Sequence, residues 1–98
     1  MADFELDGFT LHVRGVLEAQ EDRDLQEWCS RLMQTDEPAI TVDLSAVTAI
    51  TSACIGVLSA TWVDVITQDR VLDIVVSPTV RRIFALAGFD KVLRLRDP

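Results

Sequence analysis

The order in which strand-like and helix-like segments alternate limits this chain more than any other feature. Ala39-Ile40-Thr41-Val42-Asp43-Leu44 and Val71-Leu72-Asp73-Ile74-Val75-Val76 are short runs dominated by apolar residues, which read as strands inside a sheet. Between them Ile55, Leu58, Trp62, Val65 and Ile66 recur at helical spacing. They mark the apolar side of a helix that starts after Thr51 or Ser52 and ends near Gln68-Asp69. Strand, helix and strand in this order call for a crossover helix lying on a sheet, and therefore for an α/β layer.

The flanking segments continue the pattern. Phe4-Glu5-Leu6 and Phe9-Thr10-Leu11-His12-Val13 alternate apolar and polar residues around Asp7-Gly8, a dipeptide suited to a type I′ hairpin turn. Leu25, Trp28, Cys29, Leu32 and Met33 place an apolar stripe on a helix from about residue 22 to 34, which Thr35-Asp36-Glu37-Pro38 ends. Ser77 as N-cap, Pro78 at the first helical position and Gly88 at the close outline a third helix, with Val80, Ile83, Phe84 and Ala87 inward. Val92-Leu93-Arg94-Leu95 suits a short edge strand. The expected fold is a mixed β-sheet opening with a β-hairpin and covered by about three to four helices, in one domain over residues 1–98.

Charge narrows the function. Residues 1–50 hold eleven Asp and Glu against three Lys and Arg, and the whole chain carries a net charge of -7. Phosphate backbones are held by clustered Lys and Arg, so a nucleic-acid partner is not expected. The acid concentrates at Glu18, Glu21, Asp22, Asp24 and Glu27, a pattern that reads as a solvated helix face. Asp64 and Arg70 read as ordinary solvent-facing positions.

Cys29 and Cys54 lie in apolar neighbourhoods without CxxC or His-rich spacing, so neither a disulfide framework nor a zinc site is expected, and a reducing cytoplasm fits. The start of the chain lacks a basic, then apolar, leader pattern. The apolar stretch Ala53 to Ile66 is interrupted by Asp64 and too short to span a bilayer. No targeting signal, anchor or direct membrane insertion is expected.

No serine sits in a G-x-S-x-G elbow, no Gly-rich phosphate loop is present, and the single histidine, His12, falls on the polar side of the hairpin. Catalysis therefore has no constellation to carry it, and no cofactor is expected. Trp28 and Trp62 lie on apolar stripes and read as core residues.

Four segments in order carry a family resemblance: Leu11-His12-Val13-Arg14-Gly15-Val16-Leu17-Glu18; Val42-Asp43-Leu44-Ser45; Ile50-Thr51-Ser52-Ala53-Cys54-Ile55-Gly56-Val57-Leu58; and Ser77-Pro78 with Val80, Ile83, Leu86 and Gly88-Phe89. Together they resemble the STAS domain family, whose best-known members are antagonists of bacterial anti-sigma factors. The resemblance spans nearly the whole chain and implies a non-enzymatic regulatory domain that switches between protein partners.

In that family the loop before the second helix usually reads Asp-Ser-Ser-Gly, and the second serine is phosphorylated by a partner that is both kinase and anti-sigma factor. Here the Asp falls on Thr51, the serines on Ser52 and Ala53, and the glycine on Cys54. Ala53 cannot accept phosphate. The implied docking surface is Glu18, Thr51, Ser52, Ala53, Cys54 and Ile55 together with the exposed side of the second helix, with Ser52 the remaining candidate phosphoacceptor. Capping of the helix by Thr51 or Ser52, without phosphorylation, is the favoured reading of these hydroxyls. STAS subunits of bacterial lipid-transport ABC systems offer a second match, because they carry a hydroxyl residue followed by alanine in this loop and bind the ATPase.

Overall fold

A computed structural model describes residues 1–98. The strands are β1 (Ala2–Asp7), β2 (Thr10–Leu17), β3 (Ala39–Ile50), β4 (Val71–Val76) and β5 (Leu95–Arg96). The helices are α1 (Asp22–Met33), α2 (Ser52–Thr67) and α3 (Pro78–Leu86), and a 3-10 turn at Ala19–Glu21 leads into α1. The strands form one sheet in the order β1-β2-β3-β4-β5, antiparallel between β1 and β2 and parallel thereafter. The expected mixed sheet with an opening hairpin is therefore present, and β3 is its central strand.

Helices and strands share one core. Leu25, Cys29 and Leu32 of α1, Cys54, Ile55, Leu58 and Val65 of α2, and Val80 and Phe84 of α3 meet Leu11, Val13, Ile40, Val42, Leu44, Leu72 and Ile74 of the strands in a single buried cluster. Each fully buried Leu, Ile or Phe contributes about 1.5–3 kcal/mol relative to exposure, which makes this cluster the main stabilising feature. Phe4 of β1 stacks on Trp28 of α1 with centroids 6.0 Å apart, and the Arg31 guanidinium sits 4.5 Å from the Trp28 ring centre. Trp28 thereby joins β1 to α1 at the margin of the core.

Two glycines are required by geometry. Gly8 has φ +61°, while the ladder pairs Asp7 with Thr10, so the turn residues are Gly8 and Phe9. Positive φ at the first central position alone matches a type II′ turn, one residue later than the type I′ turn expected at Asp7-Gly8. Gly15 has φ +100°, and a Cβ there would stand 2.6 Å from the Met1 carbonyl oxygen. No other residue fits where the start of β1 crosses β2.

Several expectations are corrected in detail. β3 runs six residues beyond Leu44, because bulges between His12 and Arg14 and between Gly15 and Val16 let β2 follow it to Ile50. Ile66 is exposed rather than inward, and the buried row of α2 includes Thr61, whose hydroxyl donates to the Val57 carbonyl at 2.9 Å. In α3, Val80 and Phe84 are buried, but Ala87 is exposed and Leu86 is 83% exposed. The edge strand is shorter and later than Val92–Leu95.

Arg70 is not an idle surface residue. Its guanidinium donates to the Met33, Thr35 and Glu37 carbonyls at 2.8, 2.7 and 3.0 Å, and so ties the end of α1 and the following turn to the start of β4.

Candidate functional site

The connection from β3 to α2 is a single residue, and its neighbours explain why. Ile50, the last residue of β3, pairs with Leu17 at the end of β2, and the Thr51 N–H donates to the Leu17 carbonyl at 3.1 Å. Thr51 stays extended (φ -89°, ψ 163°), and the chain turns at once into α2. Its hydroxyl oxygen accepts from the Cys54 N–H at 3.4 Å, and its carbonyl accepts from the Ile55 N–H at 3.0 Å. Thr51 is thus the N-cap, satisfying a backbone donor that would otherwise lack a partner.

Capping fixes which residues face outward. Ser52 and Ala53 are exposed and Thr51 is half-buried, whereas Cys54 and Ile55 point into the core. The part of the segment open to a partner is Ser52-Ala53, held on the first turn of a well-packed helix.

Glu18 lies beside this turn. It follows Leu17, and its carbonyl accepts from the Cys54 thiol at 3.6 Å. Its carboxylate is about half exposed and pairs with the Met1 ammonium at 3.5 Å.

Both thiols are held toward the protonated form. Burial pushes the Cys54 thiol pKa above its ordinary value; the nearby Asp22 and Glu21 carboxylates push the same way, against a hydrogen bond from Thr51. Burial raises Cys29 to about 11, partly offset by a hydrogen bond with Thr61. Cys54 packs in the core as a small apolar residue.

A groove of about 320 Å³ opens between α1 and α2 and begins at the loop. Gln26, Ser30 and Met33 form one wall, and Ala53, Gly56, Val57, Ala60, Thr61 and Asp64 form the floor and the other wall. Gly56 is in the interior of α2, where glycine costs about 1 kcal/mol relative to alanine. A Cβ at this position would meet nothing within 4 Å. Sequence reasoning passed over this groove, because its walls come from helices brought together only by packing.

The outer sheet face holds a separate polar pair. His12 Nδ1 lies 3.1 Å from Asp43 Oδ2, and the Ser45 N–H donates to Asp43 Oδ1 at 2.9 Å. Burial opposes the Asp43 charge, yet the hydrogen bonds from Ser45 and His12 outweigh it and hold the pKa below the ordinary 3.8. By strand alternation the pair is on the sheet face opposite the buried Leu11, Val13, Val42 and Leu44, and no three His, Cys, Asp or Glu side chains converge as metal ligands. No helix is long and apolar enough to cross a membrane.

A family model described as "Mlab, STAS domain" matches residues 1–96. No curated protein matches the chain. Among solved structures, an anti-sigma factor antagonist from Mycobacterium paratuberculosis superposes with a TM-score of 0.80 at 24% identity, covering 97% of this chain and 83% of its own. The anti-sigma factor antagonist SpoIIAA in its unphosphorylated form gives a TM-score of 0.75 at 16% identity, with 100% and 88% coverage. The phosphorylated form of SpoIIAA, described as a Bacillus cell fate determinant, gives 0.69 at 16% identity, with 100% and 91% coverage. At these identities the likenesses establish a shared fold.

Proposed function

The chain belongs to the STAS domain family, and from that membership we propose that it is a non-catalytic regulatory module, one domain over residues 1–98, that docks a protein partner at the start of α2. One observation carries the reading. Thr51 is committed to the cap and Cys54 and Ile55 to the core, which leaves Ser52 and Ala53 exposed on a rigid turn with Glu18 beside them. A preorganised exposed turn binds with little ordering cost.

The partner is a kinase-like anti-sigma factor, and the setting is partner-switching control of transcription in a bacterial cytoplasm. Ser52 is the one residue of the loop with an exposed hydroxyl. A phosphate there is tolerated locally by the free N–H groups and dipole of α2, yet it puts nearly two negative charges on a surface that the partner must desolvate. Ala53 removes the family's usual acceptor, so any phosphate control runs through Ser52 or has been lost.

Ala53 also favours a second reading, as an accessory subunit of the ATPase of a bacterial lipid-transport ABC system. Ser52-Ala53 is the hydroxyl-alanine pair which that branch of the family carries. Pull-downs with each partner type, using wild type and Ser52→Asp, separate the readings. Binding of a kinase-like protein by wild type and its loss in Ser52→Asp supports the first. Retention by an ATPase alone supports the second, and equal binding of both proteins to a kinase-like partner removes the switch at Ser52.

A further inference from the structure

We infer that the groove between α1 and α2 seats a basic amphipathic helix of the protein partner, so that the partner reads the loop and the groove as one continuous surface. The inference rests on the docking role proposed above and extends it along α2.

The groove starts at Ala53, adjacent to exposed Ser52, and reaches Asp64. At 1.5 Å per residue this run of α2 is about 16 Å long, which accommodates roughly three turns of a helix lying alongside it. Gly56 lies in its first half. Nothing inside the chain occupies the space that a side chain there would take, and no strained φ demands glycine, so the fold itself has no use for it. With Ala53 and Ala60 on either side, the missing side chain makes a low floor on which an outside backbone can come close.

Charge identifies the occupant. No Lys or Arg lines the groove, and Asp64 does. In residues 18–33 Glu18 and Glu21 pair with the Met1 ammonium and Glu27 with Arg31, Asp22 and Asp24 stand against Arg23 as the second arginine, and α2 adds Asp64 and no cation. One of those arginines, Arg31, is engaged over the Trp28 ring and near Glu27, on the β1 side of α1. A helix with Lys or Arg beside small apolar residues matches this surface, and an acidic helix is repelled by it.

Photo-crosslinking in the native cell tests the assignment, with p-benzoylphenylalanine replacing Ser52, Ala60 or, as a control on the exposed start of α3, Thr79. The expected result is that the Ala60 and Ser52 probes capture the same protein, with the Ala60 adduct mapping to a helical segment of net positive charge, and that Thr79 does not. If Ser52 captures a partner but Ala60 captures nothing, an acidic segment or a second copy of this chain, the groove inference is overturned while the docking role stands. If neither captures a protein, both are overturned.

A second measurement uses Gly56 directly. Gly56→Ala is expected to raise the melting temperature of the isolated protein, and Gly56→Leu to weaken binding to the captured partner at least tenfold without lowering that temperature. Unchanged affinity in Gly56→Leu overturns the inference.

Discussion

The side-chain oxygen of Thr51 lies 3.4 Å from the backbone nitrogen of Cys54, so this hydroxyl closes the first turn of α2. This single contact gives Thr51 a structural role, while the adjacent Ser52 stays exposed. Thr51→Ala is expected to destabilise the protein by about 1 kcal/mol, with Thr51→Ser recovering most of the loss and Ser52→Ala changing little. Urea unfolding checks this; a Thr51→Ala protein as stable as wild type would contradict the capping assignment.

Both thiols are buried and held protonated, Cys29 with a pKa of about 11. A thiol-specific disulfide reagent at neutral pH is therefore expected to react slowly with the native protein and with both cysteines once it is unfolded. Because the folded pKa of Cys29 is raised above the ordinary 9.0, its contribution to stability is fully present below pH 9 and is lost as pH rises through about 11. Rapid native-state labelling of either cysteine would show that the thiol is accessible.

Asp43 shows the opposite linkage. Its folded pKa lies below the ordinary 3.8, so the carboxylate stabilises the fold above that value and the contribution is lost as pH falls through the lower folded value. Asp43→Asn is expected to lower stability at neutral pH and to flatten the acid limb of the stability curve. Chemical unfolding across the acid range provides the measurement, and an unchanged acid limb would show that the contacts with Ser45 and His12 carry no free energy.

Arg70 places three donors on the carbonyls of Met33, Thr35 and Glu37. A lysine cannot reproduce that planar fork, so Arg70→Lys is expected to lose much of what Arg70→Ala loses, about 2 kcal/mol. Equal stability of Arg70→Lys and wild type would mean that charge alone serves there.

What the sequence revealed depended on how local each feature is. Ser77-Pro78, Thr51 and the Val71–Val76 run specify their elements through neighbours in the chain, and all three appear where expected. The second half of β3 is harder to see. Its buried residues Leu44, Val47 and Ile50 are three apart, a spacing that a strand adopts only because bulges reset the ladder with β2.

Ile66 continued an apolar stripe on paper, but the packing of α2 turns it to solvent. Arg70 binds backbone carbonyls, and carbonyls leave no trace in residue identity. At the site, the position of the loop was readable from Thr51-Ser52, whereas the burial of Cys54 and Ile55 and the groove beside them follow from the contact of α1 with α2.

The most direct test of docking at the loop is calorimetric titration of the Ala53→Arg protein with whichever candidate, the kinase-like anti-sigma factor or the transporter ATPase, wild type binds. Ala53 is exposed, so the fold accommodates arginine there and the melting temperature is expected to stay unchanged. Affinity is expected to fall at least tenfold, or about 1.4 kcal/mol. A partner that binds Ala53→Arg and wild type with equal affinity would show that the start of α2 is not the docking site.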